Sequence, residues 1–367
     1  MKSVSRLFAF SVLVLSSLSA QASEERVLNI YNWAEYIGEK TVAAFEAESG
    51  IKVRYDNFDS NEILLAKMIA GRTGYDIVVP SSDFGRMFID GGLVQKLDRS
   101  KLSRWGNLDP AVMRLMDKLD TGNQYMVPWL GSTVSVGYNP AMVKAALGAE
   151  PIPADPFELV FNPRYTSKLK KCGISILDSA ADVFPSALIH IGKPAFSNQS
   201  DDYAQAFAML QKVRGDISLF SYNGYISDLA AGNICVALGY GGDFNNANAR
   251  AEAGGSKVVI EAPLPPRGTQ FGFESMMIPA DAPHPENAHA WINYILRPEV
   301  QAEITNKVRF TSPNLAARKF IAPEVLANKI AFPGDEYLNT KAQFYEVRRS
   351  DTRRVMTRYF TKLKTGF

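Results

Sequence analysis

The stretch Val27-Leu-Asn-Ile-Tyr-Asn-Trp-Ala-Glu-Tyr36 decides how the rest of the chain is arranged. Its apolar first half predicts a short buried strand, and residues 31–33 predict the turn at the carboxyl end of that strand. Residues 39–50 predict the helix that follows, with Gly50 as its stop. The stretch therefore predicts the first strand and helix of an open α/β fold.

Three side chains at the end of that strand predict a ligand site. Trp33, Glu35 and Tyr36 lie within four residues of one another, and ligands collect at the carboxyl ends of strands in open α/β sheets. An indole face beside a carboxylate suits an organic cation. A Trp packed beneath a loop and a solvated Glu would produce the same pattern, so both interpretations stay open on this stretch alone.

Residues 1–22 predict a cleaved targeting segment. Lys2 and Arg6 precede an apolar run from Leu7 to Leu18, and Ala20-Gln-Ala22 offers small residues for cleavage. Removing two basic residues and no acid takes the formal net charge from +2 to neutral. We therefore expect an exported, periplasmic protein, and the neutral mature chain argues against nucleic acid or anionic lipid as a partner.

The length and the cysteines limit the architecture. A chain of 367 residues is longer than a single hydrophobic core usually supports, so we expect two lobes. Cys172 and Cys235 predict a disulfide in an oxidising compartment rather than a metal site. None of the three histidines stands in a metal-ligand spacing, and His190 lies on an apolar helix where a structural role is expected. We expect no metal and no cofactor.

Strands and helices alternate along the chain, which predicts an α/β fold class. Residues 124–139 predict an extended crossing between lobes, and residues 257–262 predict its companion. An α/β unit lies between them, so hinge strands should join two α/β lobes around a ligand cleft. The predicted division is residues 23–134 and 262–310 for lobe 1, and 135–261 and 311–367 for lobe 2.

Other strand ends point to the same cleft. Ser81 follows an apolar strand, Asp182 follows another, and Tyr240 with Asp243 follows a third, while Glu274 ends an aromatic run. The Ser81 hydroxyl could instead cap the next helix, and each of the other side chains, taken singly, could have a structural role. Because aromatic and acidic residues recur together at separate strand ends, the cleft is predicted to bind a cation.

The whole chain also resembles the periplasmic polyamine-binding components of bacterial ABC importers, the putrescine- and spermidine-binding group. The resembling segments are Tyr31-Asn-Trp33 with Tyr36, and residues 75–81, 137–139, 172–173, 228–235, 242–243, 278–281, 293–298 and 354–364. The resemblance implies the type II periplasmic-binding-protein fold, an interlobe ligand site, a Cys172–Cys235 disulfide and an ABC permease as partner.

The resemblance also implies site residues by motif position. The residues are Trp33 and Tyr36 in an aromatic box, Ser81 as a polar contact, Glu35 as a rim acid, Asp182 in place of a family Glu, Tyr240 in place of a family Trp, Asp243 unchanged, and Glu274 where the family usually has Asp.

Three positions depart from the family pattern. Ala34 replaces a usual Ser or Thr, and Gly131 and Gly272 stand where aromatic residues are usual. Losing an aromatic wall removes ~0.5–2 kcal/mol of cation–π attraction. We therefore expect open volume, and a larger or capped amine in place of tight putrescine-like specificity.

The sequence as a whole predicts a monomeric solute-binding receptor, not an enzyme, that delivers a polyamine or related cationic amine to a permease. An exported polyamine sensor and a carboxylate-dependent hydrolase of the same fold are the alternatives. No Ser/His/Asp or Cys/His arrangement is visible in the sequence, and nothing in it separates import from sensing.

Overall fold

The computed structural model describes residues 24–366. The predicted targeting segment, residues 1–22, lies outside the described residues. The strands are β1 (Val27–Trp33), β2 (Lys52–Phe58), β3 (Ile77–Val78), β4 (Val127–Tyr138), β5 (Ile174–Leu177), β6 (Leu219–Ser221), β7 (Val236–Tyr240), β8 (Gln270–Met276) and β9 (Gln343–Phe344).

The helices alternate with these strands. They are α1 (Thr41–Ser49), α2 (Asn61–Ala70), α3 (Ser82–Asp90), α4 (Pro110–Met116), α5 (Pro140–Leu147), α6 (Glu158–Phe161), α7 (Pro163–Leu169), α8 (Ala180–His190), α9 (Ser200–Val213), α10 (Gly224–Ala231), α11 (Gly241–Ala253), α12 (Pro285–Ile295), α13 (Pro298–Val308), α14 (Pro323–Leu326), α15 (Asp335–Thr340) and α16 (Ser350–Thr365). Within residues 24–366, no helix combines the length and the apolar character needed to cross a membrane.

The first sheet is parallel, in the order β2-β1-β3. The predicted first strand and helix are confirmed, and Gly50 ends α1 in the left-handed conformation, which glycine adopts without strain. The strand is longer than predicted, because residues 31–33 continue the pairing with β2. The turn therefore starts at Ala34, and Glu35 takes a positive φ of 55° in it.

The second sheet has the order β6-β5-β7-β4-β8-β9. Strand β4 is buried along its whole length and confirms the extended segment predicted around residues 124–139. It pairs antiparallel with β8 through its first half and with β7 through its second half. A bridge from Glu274 of β8 to Ser81, and one from Met277, directly after β8, to Val78, connect this sheet to the β1 sheet.

The predicted companion crossing at residues 257–262 is wrong, since β8 takes that place. Only Glu261 of that segment forms a bridge, to Tyr138. The Asn248 side chain hydrogen-bonds both the backbone N–H and the carbonyl of Ile260. These contacts satisfy backbone groups that a strand would pair in a ladder.

Apolar cores lie on both sides of β4. One surrounds β1 and includes Phe45 and Trp291, and the other surrounds β5 and β7 and includes Phe184. Residues after Phe310 first pack on the β1 side, because Asn314 bridges Leu108 and the segment 317–325 forms a small apolar cluster with α13. The chain then runs to the β5 side through α16. The exact lobe boundaries stay a prediction.

The Cys172–Cys235 disulfide is confirmed. Cys172 lies just before β5, and Cys235 lies just before β7. The bond therefore joins the starts of two neighbouring parallel strands.

Candidate functional site

One cavity contains all eight predicted ligand-binding residues in its lining. Its empty volume is about 1020 Å³, part of which is open to solvent. The eight are Trp33, Glu35, Tyr36, Ser81, Asp182, Tyr240, Asp243 and Glu274. They come from the β1 side and from the β5–β7 side of the molecule, so the structure brings together residues that are up to 241 positions apart.

The aromatic part of the cavity begins at the end of β1. The Trp33 indole N–H donates to the Val79 carbonyl at 2.9 Å, and the indole lies tilted against the Phe58 ring with centroids 4.4 Å apart. Tyr36 follows the turn, and its ring meets Phe310 edge-on at 4.9 Å. These contacts fix both rings at the cavity wall, where they can flank a ligand.

Three buried carboxylates in the cavity each accept a hydrogen bond from a tyrosine hydroxyl. The pairs are Tyr36 with Glu274 at 2.9 Å, Tyr240 with Asp182 at 2.9 Å, and Tyr225 with Asp243 at 2.5 Å. All three acids are at least nine-tenths buried. A phenol fixes the direction of each carboxylate but leaves its negative charge unbalanced.

Burial disfavours the ionised form of these acids. It raises the pKa of Asp182 to about 6, that of Asp243 to about 7 and that of Glu274 to about 8, while the tyrosine hydrogen bonds act in the opposite direction. Within residues 24–366, no Lys, Arg or His nitrogen lies within 4 Å of any of the three carboxylates. The cavity therefore presents acids whose charge a cationic ligand can balance.

Glycines on both sides of Tyr240 allow the second wall to approach its neighbours closely. A Cβ on Gly239 would lie 2.5 Å from the Tyr225 ring, and one on Gly242 would lie 2.3 Å from the Phe310 ring. Larger residues would displace both rings. Asp243 then occupies the first turn of α11.

Ser81 and Glu35 take different places in the site. Ser81 precedes α3, and its hydroxyl donates to Asp83 at 2.7 Å instead of capping the helix. Glu35 lies exposed at the rim, as predicted, and forms an ion pair with Arg250 of α11. That pair joins the two walls of the cavity mouth.

The prediction that Gly131 and Gly272 leave open volume is wrong. A Cβ on Gly131 would lie 2.6 Å from the Phe273 ring, and one on Gly272 would lie 2.1 Å from the Tyr345 ring. Neighbouring aromatic rings already fill these spaces. Tyr345 lines the cavity, so an aromatic wall is supplied from a distant part of the chain.

Several residues in the cavity were not predicted. They are Phe58, Asp83, Tyr222, Phe310, Tyr345 and Arg348, together with Tyr225, which positions Asp243. Tyr225 lies in a helical pattern whose apolar spacing is typical of a core residue. Tyr345 and Arg348 reach the cavity from the C-terminal segment, and no local motif marks them.

A second cluster has the composition of a metal site. Asp155, Glu158 and His190 offer ligand atoms within 4.8 Å of one another. However, Arg267 lies 3.2 Å from Asp155 and 3.7 Å from Glu158, and also donates to the His190 carbonyl. The arginine supplies the positive charge there, so we assign no metal to this cluster.

Comparisons with known proteins match this architecture. Residues 40–333 match the family described as bacterial extracellular solute-binding protein. The chain is 41% identical over 347 residues to the putrescine-binding periplasmic protein SpuD of Pseudomonas aeruginosa, covering 95% of this chain and 94% of that one. It is also 41% identical over 357 residues to the putrescine-binding periplasmic protein PotF of Escherichia coli, covering 96% and 95%.

A solved structure agrees with the fold. The spermidine/putrescine ABC transporter substrate-binding protein PotD from Streptococcus pneumoniae superimposes with a TM-score of 0.75 at 25% identity, over 93% of this chain and 99% of that chain. Family match, identity and fold all cover nearly the same residues. The chain therefore belongs to the bacterial extracellular solute-binding proteins.

Proposed function

We propose that this protein is an extracytoplasmic receptor that captures a polyamine in the interlobe cavity and delivers it to an ABC permease for import. The observation that carries the proposal is the set of three buried carboxylates, Asp182, Asp243 and Glu274. Each is oriented by a tyrosine, and none has a basic side chain within 4 Å in the part of the chain that the structure describes. A primary or secondary ammonium donates the hydrogen bonds and supplies the charge that these acids lack.

The rest of the lining suits the methylene chain of such a ligand. Aromatic rings of Trp33, Tyr240 and Tyr345 face the same cavity as the acids. A charge-assisted hydrogen bond contributes ~1.5–3 kcal/mol and a cation over an aromatic face ~0.5–2 kcal/mol. Two or three such anchors give a binding free energy of about −8 kcal/mol, which corresponds to micromolar affinity.

Binding favours the closed arrangement of the two lobes. Glu274 lies on β8 and Tyr36 follows β1, whereas Asp182 and Asp243 lie on α8 and α11 of the other side. A ligand that contacts both sides gains its full set of interactions only when the lobes are together, so it shifts the population towards closure. The closed receptor is the form that the permease would recognise.

The two relatives support the ligand class and the cellular compartment that we propose for this protein. SpuD and PotF carry the description putrescine-binding periplasmic protein, and we extend both the ligand class and the compartment to this chain. We also propose that residues 1–22 direct export, that the receptor acts as a monomer without nucleic acid, and that it catalyses no reaction on its ligand.

A ligand screen tests the proposal. The mature protein is heated with putrescine, cadaverine, spermidine, agmatine, lysine or choline, and the unfolding temperature is recorded. A ligand at 100 times its dissociation constant adds ~2.7 kcal/mol of stability, so a polyamine should raise the unfolding temperature clearly. Calorimetry then gives the affinity. Absence of any polyamine effect would contradict the proposal, and conversion of the amine would support the hydrolase alternative.

Transport is tested separately from binding. Deleting the gene from a strain that depends on external putrescine should reduce uptake of labelled amine, and the intact gene should restore it. Normal uptake combined with a lost transcriptional response to polyamine would instead identify a sensor.

A further inference from the structure

Arg348 is a cation inside a cavity that we propose binds cations. It lies between β9 and α16, its side chain is 2% exposed, and within residues 24–366 it is the one Lys, Arg or His in the cavity lining. Its Nη2 atom is 3.6 Å from an Asp83 carboxylate oxygen. The other Asp83 oxygen accepts the Ser81 hydroxyl at 2.7 Å.

A contribution to folding stability alone does not explain why Arg348 is buried in this cavity. Within residues 24–366, its Nε and Nη1 atoms are buried without a hydrogen-bond partner, and the contact of Nη2 with Asp83 is longer than a hydrogen bond. Its guanidinium stands over the Phe196 ring at 5.3 Å. A buried ion pair with unsatisfied donors is a poor source of stability, so a role in the cavity is the better explanation.

The charges divide the cavity into two parts. Among the described residues, Asp182, Asp243 and Glu274 have no basic partner within 4 Å, whereas Asp83 has Arg348. Within residues 24–366, the Arg348 charge also acts on the titratable groups of Glu62, Tyr203, Tyr345 and Arg353. A ligand ammonium near Asp83 would therefore meet a resident guanidinium.

The repulsion between a ligand ammonium and the Arg348 guanidinium is strong enough to determine which amines the cavity binds. Two like charges about 6 Å apart, at an effective dielectric constant of about 20, repel by an amount equivalent to roughly a hundredfold in affinity. This repulsion offsets the attraction that the Asp83 carboxylate would otherwise offer to the ammonium. Methylenes or an acyl group at the same place carry no charge and avoid this cost. The effect acts on charge, and it therefore separates ligands that have the same length.

We propose that Arg348 occupies the place of a ligand cation, so that the receptor prefers an amine with two positive charges to one whose third ammonium lies beside Asp83. The inference rests on the proposed polyamine function and specifies its ligand class: a diamine, or a triamine with one end acylated. Arg348 is then a specificity-determining residue, and Asp83 is its positioning partner.

Calorimetry with putrescine, spermidine and both monoacetylspermidines tests the inference. Spermidine and its monoacetyl forms share a backbone but differ by one charge. In the unaltered protein, spermidine should bind at least tenfold more weakly than putrescine, and at least one monoacetyl form should bind more tightly than spermidine. Spermidine binding as tightly as putrescine would overturn the inference.

The variant Arg348→Met removes the charge and frees Asp83 for an ammonium. The ratio of the spermidine to the putrescine dissociation constant should fall at least tenfold, and a smaller change would overturn the inference. Arg348→Lys keeps the charge and should keep the preference. Arg349→Met is the matched control, because Arg349 is 65% exposed and pairs with Asp351 outside the cavity.

A second variant and the binding of the diamines separate a failure of the Arg348 role from a failure of the proposed function. If Arg348→Met does not fold, Arg348→Gln and the ligand ratios of the unaltered protein carry the same comparison. If no amine binds the unaltered protein, the proposed function fails. If diamines bind and the charge preference is absent, only the role of Arg348 fails.

Discussion

The carboxylate of Asp243 is held by the Tyr225 hydroxyl at 2.5 Å and is nine-tenths buried. The variant Asp243→Asn keeps an oxygen that accepts this hydrogen bond, removes the charge and replaces the second oxygen by an NH2 donor. Because a charge-assisted hydrogen bond is worth ~1.5–3 kcal/mol, polyamine affinity should fall at least tenfold in calorimetry. Asp351→Asn, at an exposed acid outside the cavity, should bind normally. Equal affinity of Asp243→Asn and the unaltered protein would rule out this anchor.

The three cavity acids also predict a pH dependence. The pKa of Asp182 is raised to about 6, that of Asp243 to about 7 and that of Glu274 to about 8, whereas in the unfolded chain these pKa values lie near 4. Between about pH 4 and 8 the folded ligand-free protein therefore binds more protons than the unfolded chain. Its free energy of unfolding should decrease as the pH rises through that window.

Ligand ammoniums favour the ionised acids, so affinity should increase from pH 6 to pH 8. On the order of one proton should be released per ligand at pH 7. Calorimetry in two buffers of different ionisation enthalpy measures this number, and unfolding temperatures from pH 5 to 8 measure the stability effect. A ligand-induced shift that is constant over this range would contradict the prediction.

Sequence reasoning at single residues found cavity-lining side chains where they lie next to a predicted strand end. Trp33, Tyr36, Tyr240 and Asp243 could be placed because a strand pattern ends directly before or at them. Arg348 could not, because its contact with Asp83 joins segments 265 positions apart. The prediction of open volume at Gly272 was wrong for the same reason, because Tyr345, from a distant part of the chain, fills the space beside this glycine.

At the level of elements, β8 packs against the segment that follows β9. A Cβ on Gly272 would lie 2.1 Å from the Tyr345 ring, so Gly272→Ala should lower the free energy of unfolding by about 1–3 kcal/mol through overpacking. Urea denaturation measures this loss. Gly334→Ala is the matched control, because a Cβ there meets nothing within 4 Å.

A double-mutant cycle identifies the cause of that loss. In a Tyr345→Ala background the ring is absent, and the cost of Gly272→Ala should then largely disappear. Equal costs in both backgrounds would show that Tyr345 does not fill the space beside Gly272.

The disulfide joins the starts of β5 and β7 across a sequence separation of 63. Replacing both Cys172 and Cys235 by Ala should lower the free energy of unfolding by about 4 kcal/mol, because the unfolded chain regains the entropy of a long loop. Neither cysteine lines the cavity, so polyamine affinity should stay within twofold. A large loss of affinity without a loss of stability would contradict this separation.

Elements with clear periodicity and caps could be predicted from the sequence, whereas strand pairing could not. Helix α1 was expected close to its observed limits. The apolar run at residues 257–262 looks like a strand as much as β8 does, because local pattern does not specify a pairing partner. The side chain of Asn248, which binds Ile260, determined the outcome there.

For the whole molecule, the two-lobed arrangement follows from chain length and from β/α alternation, and the cavity lies where the two sets of strand ends meet. The path of the C-terminal segment was less predictable. It first packs on the β1 side near α13 and then places Tyr345 and Arg348 in the cavity before α16 packs on the β5 side. This route contributes part of the site, so truncation of the tail would alter ligand binding as well as stability.

The pair formed by Glu35 and Arg250 tests how the whole molecule closes. Glu35 lies at the mouth on the β1 side, and Arg250 lies on α11 of the other side. Arg250→Glu makes this contact repulsive and should favour the open form. Because an exposed ion pair is worth about 0.2–1 kcal/mol, affinity should fall a few-fold, mainly through faster ligand dissociation in stopped-flow measurements.

The charge-swapped protein, with Glu35→Arg and Arg250→Glu together, distinguishes two roles for Glu35. If Glu35 acts by pairing across the mouth, the swap restores the attraction, and affinity and dissociation rate should return to within twofold of the unaltered protein. If Glu35 instead contacts a ligand ammonium as a rim acid, the swap places a positive charge beside the ligand. The double variant would then bind more weakly than Arg250→Glu alone, and closure would have to depend on the ligand and the buried contacts only.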